Sequence, residues 1–368
     1  MNLQLLAAPA FWQLLFGGAA AVALLWWILL GAGRRSRRRA LQQQIASLKR
    51  ANSDSALAAL STMRRGIVDA AQVLLRPVGG QQGRAQLYRV PWLLFVGDAA
   101  ADVPRLLATA HRTSATPPPP ARESIGDAFW RWWSLGAITA IETHADAVCD
   151  LSAKRERVLW YEALQQLVER RERQPLNGIV VCVGASTLAG AAPEIDETAT
   201  QLRRLIAEAS EALRLRLPVY LVVNGLEQLR GHDAVVSVLA PDVLAQALGY
   251  RLPYNEAIGA IGPRLDQVFT VICDRLQALR MSLARTQPQP LERLAAHRFV
   301  EDVIALRPGL RRLTERLFDA VGDADSASLR WRGLYLVASA DGSAPGAFVA
   351  DLFQRFLPAD QPLAGPRG

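Results

Sequence analysis

The chain has 368 residues, 51% hydrophobic and 21% charged, with 26 glycines, 21 prolines and three cysteines. That composition excludes wholesale disorder, a collagen-like repeat and a framework of several disulfides, and Cys149, Cys182 and Cys273 are too widely spaced for a C-x-x-C metal knuckle. The formal charge of +8 is local, because residues 34–89 hold twelve basic side chains against Asp54 and Asp69, which leaves the chain from Val90 onward slightly acidic.

Residues 11–33 carry no charge, and Gln13 is their only strongly polar member. A helix of that length spans roughly 34 Å, enough for a bilayer core. Arg34, Arg35, Arg37, Arg38 and Arg39 follow the apolar run rather than precede it. That order predicts a retained anchor with the N-terminus periplasmic and the body cytoplasmic, and contact between these arginines and anionic lipid. It argues against nucleic acid, since no aromatic residue interleaves the basic ones from Arg34 to Arg76. Leu41, Ile45 and Leu48 stand at helical spacing and predict a helical stalk over 34–87.

A globular body is expected from Tyr88. Trp92 to Val96, Ala137 to Ile141, Ile179 to Val183 and Val219 to Val223 are uniformly apolar, as strands of a parallel sheet buried on both faces should be. Lys154 to Arg171 is amphipathic, and a second helix opens at Pro193 with Glu194, Asp196 and Glu197 at its positive dipole end. Thr116 to Ala121, with four consecutive prolines, is a stiff loop. Beyond His232 the helical stretches are Asp266 to Leu283, Leu291 to Ala305, Leu310 to Val321 and Gly346 to Phe356, interrupted by a strand-like Gly333 to Val337. The expected fold class is α/β: an N-terminal transmembrane helix (1–33, span 11–33), the stalk, a P-loop-like doubly wound domain (88–232) and a mostly helical extension (233–368).

The loop after the first strand is where such a fold binds phosphate. On the pattern G-x-x-x-x-G-K-[ST], Gly97 keeps the first glycine, while Asp102, Val103 and Pro104 replace the second glycine, the lysine and the hydroxyl residue. Val103 brings no charge to a phosphate, Pro104 no hydroxyl to Mg²⁺, and Asp98 and Asp102 repel an anion. Glu142, His144 and Cys149 fall close together, yet no oxyanion or cofactor loop accompanies them, so a thiol enzyme is disfavoured.

Several blocks in order resemble the TssM/IcmF family, the inner-membrane component of type VI secretion. Val90 to Gly97 is similar to the family's strand into its phosphate loop. Trp132-Trp133 followed by Ile141-Glu142-Thr143-His144-Ala145 resembles W-W…I-D-T-A-G. Arg173 to Gly178 resembles R-x-P-L-N-G, and Leu217 to Glu227 resembles L-P-V-Y-L-V-x-T-K-x-D. Gln246 to Tyr250, Leu329 to Tyr335 and Phe348 to Phe353 continue the likeness, which covers Tyr88 to Pro358.

The resemblance implies a GTPase-like domain with all three nucleotide elements altered: Gly97, Asp102, Val103 and Pro104 in the phosphate loop, Glu142 and Thr143 in the switch motif, and Asn224, Gly225 and Glu227 in the base-reading loop. It implies a pseudo-GTPase without enzyme activity or cofactor: a short-form scaffold or modulator without the family's periplasmic part, in the bacterial inner membrane beside type VI secretion membrane-complex or baseplate subunits. A residual nucleotide-binding switch is the alternative. Pro117, Pro118, Trp130, Trp132 and Trp133 lie where switch loops would be and are candidate partner contacts.

Overall fold

The computed structural model describes residues 88–114, 130–144, 154–253, 260–318, 330–340 and 346–366, together with the isolated positions 22, 39, 41–43 and 45–46. The four apolar runs form β1 (Trp92–Gly97), β3 (Thr139–Thr143), β4 (Gly178–Gly184) and β6 (Pro218–Asn224). All four are parallel and adjacent, in the order β3-β1-β4-β6. The sheet then extends at both sides. β2 (Trp130–Ser134) pairs antiparallel with β3; β8 (Arg330–Leu336) joins β6 in parallel, and β7 (Leu248–Arg251) closes that edge antiparallel to β8. A separate two-stranded piece pairs β5 (Leu215–Arg216) with β9 (Gly365–Pro366).

Because strand side chains alternate, the uniformly apolar runs supply two cores. Leu94, Val96, Val181, Val183, Leu221 and Val223 face one side. Leu93, Phe95, Val180, Cys182, Tyr220 and Val222 face the other. The second face is covered by α1 (Val103–Arg112) and the chain end around Leu352–Phe356, where Phe353 stacks on Phe95 with ring centroids 5.7 Å apart.

The first face takes the other principal helices. α2 (Lys154–Arg170), the short α3 (Ala185–Leu188) and α4 (Ala192–Leu213) come before β5. Pro193 sits in the first turn of α4, one residue further in than the sequence places it, with Ala191 as N-cap. The short α5 (His232–Val236) and α6 (Pro241–Ala245) lead to β7. α7 (Ile261–Thr286), α8 (Pro290–Ala305) and α9 (Arg307–Phe318) then add Phe269, Phe299 and Leu313 to the same core.

Two parts of the expected fold class are corrected. The region after His232 is not a helical domain standing by itself: it supplies β7 and β8, and Tyr335 and Leu336 of β8 join the two cores. Hydrophobic periodicity identifies a strand but not the sheet that receives it. The transmembrane helix is the other correction, since among the described residues no helix is long and apolar enough to cross a membrane. Of the expected span 11–33 only Val22 is described, and of the arginine run only Arg39, which is exposed. Leu41 and Ile45, read as part of a stalk, are buried in the first core.

The edge of the sheet where the parallel strands begin is closed by polar side chains. Asp360, 2% exposed, accepts hydrogen bonds from Tyr220 (2.8 Å), from Arg332 Nε (2.8 Å) and Nη2 (3.0 Å), and from Arg251. Burial raises this carboxyl, but the bonds from Arg332, Arg251 and Tyr220 outweigh it and hold it below the usual carboxylate range. Nearby, Asn177 accepts from Trp92 N–H (2.9 Å) and Arg171 (3.0 Å), and its amide reaches the carbonyl of Gln361 (3.3 Å). Arg171 is fully buried against the rings of Tyr88 and Trp92, and that burial pulls its guanidinium down to about 10. Gln361 in turn donates to the carbonyl of Tyr88, so the stretch around Gln361 is tied to the chain just ahead of β1.

Asp360→Asn should destabilise the fold by about 3–5 kcal/mol at pH 7, because it strands two buried or half-buried guanidinium groups. The folded carboxyl lies below its unfolded value, so its contribution is present above about pH 4 and is lost as pH falls through the folded value. Urea midpoints should therefore show a gap between wild type and variant that narrows below pH 4.

Candidate functional site

The opposite edge, where β1, β4 and β6 end, carries the loops in which ligands of open α/β sheets lie. After Gly97 the chain makes a tight turn, Ala99–Ala101, and Asp102 enters the left-handed region at φ 41° before α1 begins at Val103. Asp102 tolerates that conformation and accepts from Arg105 N–H (3.2 Å), so it starts the helix as an N-cap. Val103 is buried, and a Cβ on Gly97 would lie 2.8 Å from its Cγ2 and 2.8 Å from the Cys182 carbonyl oxygen. The turn is pressed against β4, with Ala100 Cβ only 2.6 Å from where a Gly184 Cβ would stand. Pro104 is exposed in the first turn.

One carboxylate gathers the donors of this loop. Asp98 Oδ1 accepts from Ala101 N–H (3.0 Å) and Gly184 N–H (3.0 Å), and Oδ2 accepts from the Thr187 hydroxyl. Burial pushes the Asp98 carboxyl up, against the lowering effect of these bonds. Asp102 N–H is bonded to the Ala99 carbonyl (3.3 Å). The chain's own anion thus stands among donors of the kind that otherwise meet a bound phosphate.

The end of β6 is engaged in the same way. Asn224 Nδ2 donates to the Ala101 carbonyl (2.6 Å), and its Oδ1 accepts from the Ser339 hydroxyl (3.0 Å). Gly225, at φ 94°, turns the chain into Leu226–Gln228. Glu227 accepts from Ser339 N–H (3.0 Å) and lies 3.9 Å from Arg105. The segment after β8 continues across α1: Ala340 N–H donates to Thr109 (2.9 Å), and its carbonyl accepts from Arg105 Nε (3.0 Å). Sequence reading missed Asp98 as an acceptor for β4, and it missed Thr187 and Ser339 altogether, since neither stands in a motif.

At the end of β3, Glu142 is 3% exposed, accepts from Trp133 Nε1 (2.6 Å) and lies 3.8 Å from Arg131. Burial pushes its carboxyl up, and the Trp133 bond and Arg131 oppose that. The Thr143 hydroxyl is buried without a hydrogen-bond partner among the described residues. Of the candidate partner contacts, Trp130 and Trp132 are core residues, because β2 pairs with β3 and turns them inward. Trp132 meets Trp92 edge-on (4.9 Å) and Trp130 meets Trp160 (5.7 Å). Trp133 is half-buried. Pro117, Pro118 and Cys149 lie outside the described residues, and His144 is exposed. Cys182 is at the sheet centre, where burial drives its thiol far above the range of a nucleophile.

These features define a mixed α/β module whose ligand-side loops hydrogen-bond to one another across β1, β4, β6 and the strap after β8. The chain belongs to the family of the IcmF-related N-terminal domain, which it matches over residues 153–367. It is also similar to type VI secretion system component TssM1 of Pseudomonas aeruginosa, 23% identical over 317 residues. That alignment covers 82% of this chain and 28% of the relative, so the chain spans under a third of that protein's length.

Asp98→Ala should lower stability by about 1–3 kcal/mol, since two backbone N–H groups lose their side-chain acceptor together with the Thr187 hydroxyl. Thr187→Val should cost less, and the double variant should be no worse than Asp98→Ala alone; a urea double-mutant cycle with additive effects would refute the shared network.

Proposed function

We propose that this chain works without nucleotide, as a non-catalytic, GTPase-like binding module within a type VI secretion assembly. The single observation that carries the reading is the Asp98 carboxylate bonded to Ala101 N–H, Gly184 N–H and Thr187 in the loop after β1. A bound phosphate would have to displace a fixed negative charge, with Val103 in place of a lysine to attract it. The base-reading loop supports the same conclusion, because Asn224 and Glu227 are engaged by Ala101 and Ser339. The assembly is taken from kinship with TssM1, whose name places that relative in type VI secretion. In a nucleotide switch the γ-phosphate orders the loops; here Glu142–Trp133 and the strap after β8 hold them by contacts within the chain.

Titration with a fluorescent GTP analogue at millimolar Mg²⁺ should show no saturable binding. Micromolar binding displaced by unlabelled GTP would overturn the proposal and favour the residual switch. Affinity isolation from cells that carry the secretion genes should recover membrane-complex or baseplate components, with a yield unchanged by GTP, GDP or EDTA.

A further inference from the structure

The helices α7 and α8 form an antiparallel hairpin, joined by residues 287–289 and fixed where Arg280 meets His297 (3.1 Å) and Glu301 (2.9 Å). One side of it is core: Leu276 and Leu283 of α7 and Ala296, Phe299 and Val300 of α8 are buried. The end beyond Arg280 and His297 has another character. Met281, Leu291 and Leu294 are 50%, 77% and 42% exposed, three of only five large apolar side chains exposed among the described residues.

Basic side chains outnumber acidic ones at this end. Between residues 280 and 298 there are four arginines, Arg280, Arg285, Arg293 and Arg298, against the single acid Glu292. Arg280 is engaged with Glu301; Arg285, Arg293 and Arg298 are exposed, with Asp302 close enough to Arg298 to feel its charge. On α8, Leu291, Leu294 and Arg298 recur at i, i+3 and i+7; on α7, Met281 and Arg285 stand at i and i+4. Each helix therefore shows one stripe in which apolar side chains are followed by a guanidinium. An ordinary solvated face balances its charges and seldom groups several large exposed apolar side chains.

We propose that this end of the α7–α8 hairpin is a peripheral contact for an anionic bilayer surface. Charge complementarity carries the choice of occupant. Leu291, Leu294 and Met281 enter the boundary between headgroups and acyl chains, and Arg285 and Arg298 extend to the lipid phosphates. The inference is independent of the nucleotide-free reading, since no residue of the β1, β4 or β6 loops takes part.

The test places an environment-sensitive fluorophore at the stripe of the full chain. In a Cys149→Ser background, where Cys182 and Cys273 are buried, Leu291→Cys and separately Met281→Cys are labelled, with exposed Glu197→Cys on α4 as control. Vesicles of phosphatidylcholine with phosphatidylglycerol should shift the emission of both hairpin labels to the blue and make them quenchable by lipid-borne quenchers. The control label and pure phosphatidylcholine vesicles should show neither effect. Arg285→Gln and Arg298→Gln should each weaken the vesicle titration about fivefold. Hairpin labels that stay in water on vesicles to which the chain is bound, or that shift equally on neutral vesicles, would overturn the proposal. Absence of any shift would also overturn it and leave the stripe to a protein partner. None of these outcomes alters the GTP titration, so the two readings fail separately.

Discussion

A sheet with no solvent face places the main constraint on this chain. The central strands β1, β4 and β6 are buried along their whole length on both sides. Every residue in them must therefore match a helix above or a helix below. One face is served by α2, α4 and α7 to α9, and the other by α1 and the chain end near Phe353. Polar groups are consequently driven to the two edges where strands start and stop, and the chemistry of the molecule is confined there.

The two edges solve that problem differently. Where the parallel strands start, a buried carboxylate, Asp360, binds two guanidinium groups and a phenol from β6, β7 and β8, so charge is neutralised by charge. Where they end, Asp98 meets no cation among its hydrogen-bond partners and is held by backbone N–H groups and a hydroxyl. The first arrangement depends on charge pairing and should respond to acid. The second depends on the backbone of the turn Ala99–Ala101, which Ala100 and Val103 hold against Gly184 and Gly97.

The central strands were legible because uninterrupted apolar runs have few other uses at this length. The edge strands were not. Trp130–Ser134 alternates buried with half-buried residues and was read as a motif, while Leu248–Arg251 has only four residues, with a glycine where Tyr335 packs against the neighbouring backbone. Gly333 to Val337 is strand-like in sequence, but nothing local names its sheet, since its parallel partner β6 lies more than a hundred residues upstream. Within the site, the altered positions could be read one by one. Their ties to Thr187 and Ser339 span 89 and 115 residues, and no local pattern encodes such a bond. The tryptophans illustrate the same limit: aromatic residues near a switch motif suit an interface or a core equally, and the pairing of β2 with β3 decides for Trp130 and Trp132.

The tie between Gln361 and Tyr88, with β5–β9 beside it, also bears on how the module transmits load. Tyr88 and the last described residues lie at the same edge of the sheet. Tension applied between these two points would peel the Gln361 bond and the two-residue β5–β9 pair one after the other, rather than shear the long parallel strands together. Extension would thus begin in a short, sacrificial clasp, while the seven-stranded sheet remained mechanically out of line with the force.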